Sequence, residues 1–406
     1  MKIVYFHSVY DAEGSSVGAA THIREIVRAL TAKGQGVNVH GVNPYAGPEQ
    51  ADRSGFRTWF KRRLSRTLNQ VHALLRNART ANRAWQVVGK ERPDVILDRY
   101  SLLDVSLAAV ARIRKVPFVL EMNAPASYEA ECFLGNLSLP VLPRFAEWLN
   151  LRLADGVIVV SKVLKKYYMD WGISGDKITV VMNGARIDLF KPMKPSVRLV
   201  AEHGLDHKTV IGFIGSFHVW HGMEGLIRLV KDTLDRYPDV VFFFIGKGPK
   251  KDSLEKRLAE EVDCGRVVFK GYVPYHRIPE ILNVMDIVLA PYPKLDFFYY
   301  SPIKLFEYMA AGKAVVSTRI GQIAEIITHG QDGMLFDPDD EGMLHQTVHR
   351  LIENPELRRR LGRQARHRIE QMCTWDHSAD KVIRVLKDAV QSRTDAGNHK
   401  PRRESS

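Results

Sequence analysis

The sequence predicts an α/β protein built from two Rossmann-like, doubly wound parallel-sheet domains facing a central cleft. Three observations carry this. Short apolar runs alternate with stretches of helical periodicity, the pattern of βαβ units. The alternation runs twice, with a break near "LFKPMKPSVRLVAEHGLDHKTV" (189–210). The 406 residues are enough to bury two full cores. In open α/β sheets, ligands sit beyond the carboxyl ends of the strands.

The elements follow in order. "KIVYFHSV" reads as the first strand, and "YDAEGSSVGAATH" (10–22) as the loop after it. Gly14 and Gly18 permit unusual backbone angles and close approach of a ligand, and the next helix offers free N–H groups to an anion. A plain flexible turn accounts for this loop equally well. Ile23, Ile26, Val27 and Leu30 recur at helical spacing, and Gly34 is the stop. "GVNVHGV", "PDVILDRY", "PFVLEMN" and "DGVIVVS" are the remaining strands of the first domain. The second domain restarts with "VIGFIGS" and a helix from about Met223. It continues through "VVFFFIG", "RVVFKGYV", "DIVLAPYP", "AVVST" and "GMLF". The expected boundaries are 1–192 for the first domain and 193–375 for the second. A helix over 376–391 packs back towards the first, and a polar, disordered tail occupies 392–406.

Net charge is +13, and ten Lys or Arg with no acid lie between Arg53 and Lys90. Such a segment points to an anionic partner. Within "FRTWFKRRLSRTLNQVHALLRNART" (56–80), Phe60, Leu64, Leu68, Val71 and Leu75 form an apolar stripe with Trp59 beside it and Lys61, Arg62, Arg63 and Arg66 around it. That pattern suits an anionic membrane surface, although a domain helix with a solvated basic face would look the same. Its aromatics do not recur in an RNA-binding pattern, which argues against a nucleic-acid partner. No apolar run is long enough to span a bilayer, and "MKIVYFHSVYDAEG" lacks the features of a signal peptide. Cys132, Cys264 and Cys373 show no disulfide or metal spacing. These features predict a cytoplasmic setting, peripheral on the inner face of the membrane.

Three loops of the second domain carry candidate chemistry. In "GFIGSFHVWHGMEGL" (212–226), Gly212 and Gly215 bracket a strand end. Ser216, His218 and His221 stand near the next helix, where they could hold a phosphate or simply lie on the surface. In "FFFIGKGPKKD" (242–252), Lys247 sits between Gly246 and Gly248, without the G-x-x-x-x-G-K-[ST] spacing of a P-loop. The absence of G-x-G-x-x-G at the first strand argues against a nicotinamide dinucleotide. In "YYSPIKLFEYMAAGKAVVST" (299–318), Pro302 suits the first turn of a helix running from about Ile303 to Ala311 and stopping at Gly312. Free N–H groups and Lys304 make an anion site there. Glu307, one turn on, can accept two hydrogen bonds from a diol. Phosphate at the helix start and ribose one turn deeper is the arrangement of a bound nucleoside diphosphate. A surface pair of Lys304 with Glu307 is the plainer reading, disfavoured by the flanking Leu305, Phe306, Tyr308 and Met309.

From these motifs the chain resembles the family 4 glycosyltransferases, retaining enzymes of the GT-B fold. "EYMAAGKAVV" matches the second half of the family's E-x7-E and AMAxGxPVV pattern. "VVFKGYVPYHRIPEILNVMDIVLAPYP", "KITVVMNGARIDLFKP" and "GAATHIREIVRALTAKGQGVNV" match its base-binding strand, interdomain stretch and N-terminal glycine loop. The resemblance implies a sugar moved from a UDP- or GDP-sugar to an acceptor, a lipid-linked glycan intermediate of polysaccharide synthesis, with no cofactor or metal. It implies donor contacts from Gly18, Ser216, His221, Gly246, Lys247, Val273, Tyr299, Ser301, Ile303, Lys304 and Glu307. Glu121, Asn123 and His22 fall on the acceptor side, and Glu307, Asn123 and Lys304 carry the chemistry. Tyr299 stands where the first acid of E-x7-E is expected. Ser216 and His221 stand where an Arg and a Lys are usual, and Lys304 can supply that charge. These departures keep two relatives open: a nucleotide-sugar epimerase of the same fold, and a non-catalytic nucleotide-sugar-binding subunit.

Overall fold

The computed structural model describes residues 1–8, 17–41, 56–132, 139–218 and 222–398. Within the Phe56–Glu91 helix it describes the side chains of His72 and of residues from Leu75 onward. Gly14, His221, Arg53 and the side chains of Trp59, Arg62 and Arg63 therefore lie outside the described set. The chain divides into two units. The first is Met1–Met182 with the segment from Ser378 onward, and the second is Asn183–His377.

Unit 1 holds six parallel strands: β1 (Lys2–His7), β2 (Gly36–Gly41), β3 (Val95–Arg99), β4 (Phe118–Met122), β5 (Gly156–Val159) and β6 (Ile178–Val180). Their order is β2-β1-β3-β4-β5-β6. The chain leaves β1 towards one edge and returns on its other side at β3, which places the switch in strand order between β1 and β3. Central strands such as β4 are buried along their whole length, because helices cover both faces of a parallel sheet. The edge strand β2 has no fully buried residue.

Unit 2 repeats the plan with β7 (Thr209–Ile214), β8 (Val240–Ile245), β9 (Val267–Lys270), β10 (Ile287–Ala290), β11 (Ala314–Thr318) and β12 (Met334–Phe336), in the order β12-β11-β10-β7-β8-β9. Its switch lies between β7 and β10, which pair in parallel through Ile211 opposite Ile287. The aromatic run of β8 is fully buried and pairs along its length with β7. Phe242, Phe244, Leu226, Leu229 and Val230 belong to one core with β10 and β11.

Four boundaries differ from the sequence reading. Residues 178–180 form a sixth strand in unit 1, where the sequence showed only a connecting stretch. The units part at Met182–Asn183 rather than at 192–193. The basic helix continues past residue 80 to Glu91. The C-terminal helix spans Trp375–Asn398, longer than 376–391, and from Ser378 it belongs to unit 1. There Leu386 and Ala379 are fully buried, and Arg393 pairs with Asp155 at 2.8 Å. Of the tail, residues 399–406 lie outside the described set. Among the described residues, no helix is long and apolar enough to cross a membrane.

Candidate active site

In unit 2 the loops leaving β7 and β8 are woven together. Gly215 donates its N–H to the Ile245 carbonyl at 3.0 Å, and Phe217 donates to the Lys247 carbonyl at 2.9 Å. The weave admits no side chain at Gly246. Its φ is +134°, and a Cβ there would run into the Gly215 carbonyl oxygen. The result is a backbone floor at the carboxyl end of β7, beside the switch in strand order.

The helix Ile303–Ala310 ends on this floor. Pro302 caps it without a side-chain hydrogen bond, so its first N–H groups have no intrahelical acceptor. Tyr308 clamps the helix to β7: its hydroxyl accepts from the Ile214 N–H at 2.7 Å and donates to the Ile214 carbonyl at 3.1 Å. At the far end Gly312 turns the chain out with φ +68°.

Lys304 lies within this frame. Its Nζ is buried with no hydrogen-bond partner, 4.3 Å from the Phe213 ring centre and 5.8 Å from that of Tyr292. These rings stand at the ends of β7 and β10, so the ammonium lies at the switch itself. A Cβ on Gly215 would come within 2.5 Å of Nζ, so only glycine there leaves room for the lysine. Burial pulls the ammonium down to about 7, against the upward pull of Glu307. Glu307 is buried on the same helix face, one turn on. An orphan ammonium beside free helix N–H groups and a glycine floor is chemically suited to hold a polyanion.

The other residues read from the second domain divide. Ile303 opens the helix and shares this frame. Lys247 is exposed on the β8 loop, 5.0 Å from the Tyr272 ring centre, and Val273 follows half-buried. Ser216 is half-buried, and its carbonyl accepts from the His218 N–H at 3.0 Å. Ser301 is engaged elsewhere. Its hydroxyl oxygen accepts from the Asn183 N–H at 3.0 Å, and its carbonyl accepts from the Asn183 side chain at 2.6 Å. Tyr299 is fully buried and stacks on Tyr300 with ring centres 4.2 Å apart. It fills the packing at a position where a carboxylate was expected to face a sugar.

Unit 1 carries a second cluster at its own switch. Glu121, at the end of β4, accepts from the Tyr5 hydroxyl of β1 at 2.5 Å and meets His22 Nε2 at 2.5 Å. Burial alone would raise the Glu121 carboxyl. The imidazole of His22, the charge of Arg99 and the Tyr5 hydroxyl override it and hold the carboxyl at about 2. Asn123, two residues further on, is half-buried, and neither of its amide atoms has a hydrogen-bond partner. Gly18 lies in the first turn of the Val17–Ala32 helix with open space around it. Sequence reasoning missed Tyr5, Arg99, Phe213 and Tyr308. The charged pair Asp98–Arg99 ending an apolar strand was the one signal available for any of them.

Comparison with known proteins gives the family and the fold. Residues 198–368 match the family model for glycosyl transferases group 1, and residues 17–189 match that for Glycosyltransferase Family 4. An uncharacterised glycosyltransferase of Methanocaldococcus jannaschii is 24% identical over 386 residues, covering 92% of this chain and 95% of its own. Among solved structures, a sucrose-phosphate synthase of Thermosynechococcus elongatus superposes with TM-score 0.72 at 16% identity, over 96% of this chain and 99% of the other. The Anabaena protein HepE in complex with UDP-glucose superposes with TM-score 0.67 at 20% identity, over 97% and 100% of the two chains.

Proposed function

The chain belongs to the family 4 glycosyltransferases, with the GT-B fold, and from that premise we propose that it moves a sugar, with retention, from a nucleotide-sugar donor to a lipid-linked glycan acceptor at a membrane surface. One observation carries the donor half: the buried, unpaired ammonium of Lys304 above the Gly215–Gly246 floor. Departure of a nucleoside diphosphate builds negative charge on its phosphate oxygens. Lys304 and the helix N–H groups at Ile303 and Lys304 meet that charge and favour the transition state over the bound substrate. Glu307, one turn deeper, accepts from the ribose hydroxyls. The Anabaena neighbour recorded with UDP-glucose supports a uridine donor. In unit 1, Asn123 offers an amide donor and acceptor to an acceptor hydroxyl, and the Glu121–His22–Tyr5 cluster fixes the strand end that carries it. The acid-free basic segment supports a membrane location for the acceptor.

The test has two arms. A thermal-shift screen of nucleotide sugars should find one that stabilises the protein, by roughly 2.7 kcal/mol at about 100 times its dissociation constant. With that donor, Glu307→Ala should lose charge-assisted bonds of about 1.5–3 kcal/mol each, a tenfold or greater drop in affinity with the fold intact. Unchanged nucleotide binding in a calorimetric titration would place Glu307 outside the site.

A further inference from the structure

The basic helix packs with two others on one face of unit 1, a face they share with the Ala126–Cys132 and Lys162–Asp170 helices of the same run of connections. The connections β2 to β3, β3 to β4 and β4 to β5 all step the same way across the sheet, so right-handed crossovers set their helices on one side. The three are Phe56–Glu91, Ser106–Arg114 and Val141–Leu153, with the second packed against both others. The loop 103–105 fastens the outer two. Asn77 of the first helix holds the Leu103 carbonyl and the Val105 N–H, and Asn150 of the third donates to the Asp104 carbonyl at 2.8 Å.

This layer exposes an unusual mixture. Large apolar side chains stand in solvent on all three helices: Leu75 is 65% exposed, Ile113 67% and Val141 74%, with Phe145 and Leu142 beside Val141. Phe145 stacks on Trp148 with ring centres 5.9 Å apart. The exposed charges among them are cations, Arg79, Arg83, Arg112, Arg144 and Arg152. Only two acids belong to the three helices. Glu91 is the last residue of the first and is bonded to Asn38 and His40, and Glu147 of the third is fully buried under Tyr168. The exposed carboxylates on the neighbouring helices, Glu131 and Asp170, are paired with Arg144 at 2.8 Å and Lys166 at 3.2 Å.

We propose that this three-helix face of unit 1 is the membrane-docking surface, with Val141, Leu142 and Phe145 entering an anionic bilayer while the arginines meet its headgroups. Apolar side chains ringed by cations, with the exposed acids Glu131 and Asp170 each paired to a cation, match the boundary between acyl chains and anionic headgroups. The inference rests on the reading of a membrane-surface enzyme. It moves the insertion point from the basic segment to the Val141–Leu153 helix.

The experiment uses the full chain with vesicles of phosphatidylglycerol or of phosphatidylcholine. Wild type should sediment with the former and not the latter, and the blue shift of tryptophan fluorescence on binding should shrink in Trp148→Phe, which keeps the other five tryptophans. Val141→Asp with Phe145→Asp should weaken binding by about tenfold or more, with nucleotide binding unchanged. Arg79→Glu with Arg83→Glu should remove the preference for phosphatidylglycerol. If wild type binds and the Asp variant binds equally well, this inference fails and the membrane reading stands. If wild type ignores both vesicles, or the face instead mediates self-association or RNA binding, both fail.

Discussion

At the scale of single residues, Lys304 concentrates the conflict between stability and function. Its ordinary value is 10.5, and burial brings it to about 7. Between those limits the unfolded chain holds a proton that the folded chain lacks, so this residue makes stability rise with pH across that window. Below about pH 7 the cost of the buried ammonium is fully present. Lys304→Met should therefore raise the melting temperature of the ligand-free protein near pH 6, with the gain fading towards pH 10. Donor binding runs the opposite way. A diphosphate needs the ammonium, so above about pH 7 each donor bound takes up a proton, and affinity falls by up to about tenfold per pH unit. Among the described residues, the charges and hydroxyls that bear on Nζ include Glu307 on its own helix and Tyr292 at the end of β10, with Tyr308 tied to Ile214. Calorimetry at about pH 8 in two buffers of different ionisation enthalpy should show the uptake in wild type and its loss in Lys304→Met. Equal heats in both buffers for wild type would show that the ammonium is not recruited.

At the scale of elements, the floor at the ends of β7 and β8 depends at Gly246 on backbone that favours glycine. Gly246→Ala forces an L-residue to φ +134° and drives its Cβ into the Gly215 carbonyl. The backbone strain alone is of order 1–3 kcal/mol. The clash must then open the β7 and β8 loops. The expected result is loss of nucleotide affinity together with a lower melting temperature, whereas Gly18→Ala, with open space around it, should leave stability unchanged. A Gly246→Ala protein with wild-type affinity would show that the floor does not touch the ligand. Much of this helix-and-loop site is legible in the sequence, because Pro302, Lys304, Glu307 and Gly312 act through local helix chemistry. Eleven of the twelve strands are legible too, as long apolar runs. The exception, β6, lies inside "KITVVMNGARIDLFKP", which reads as an interdomain stretch because polar and glycine residues follow the apolar ones at once. Tyr308 and Phe213 were not legible, since a tyrosine in an apolar helix reads as core until β7 is seen to lie against its hydroxyl. The packing of Tyr299 among aromatics was hidden in the same way.

At the scale of the whole molecule, the chain builds two sheets and then returns to finish the first. The C-terminal helix fills unit 1: Val382, Val385, Leu386 and Ala389 are buried, and a Cβ on Gly156 of β5 would come within 2.9 Å of Val385. Gly215, Gly246, Lys304 and Glu307, the proposed donor frame, lie within Asn183–His377. On that proposal, stabilising unit 1 and binding nucleotide fall to separate stretches of chain, and a mutation can address either one. Leu386→Ala deletes a fully buried side chain and should cost about 2–5 kcal/mol in unit 1. Scanning calorimetry of the full chain should then show an early transition that saturating nucleotide does not raise, followed by a later one that it does. Wild type should respond to nucleotide chiefly in the later transition. If nucleotide instead restores the Leu386→Ala protein to a single wild-type transition, the units melt as one body, and the C-terminal helix bears on the donor site as directly as on unit 1.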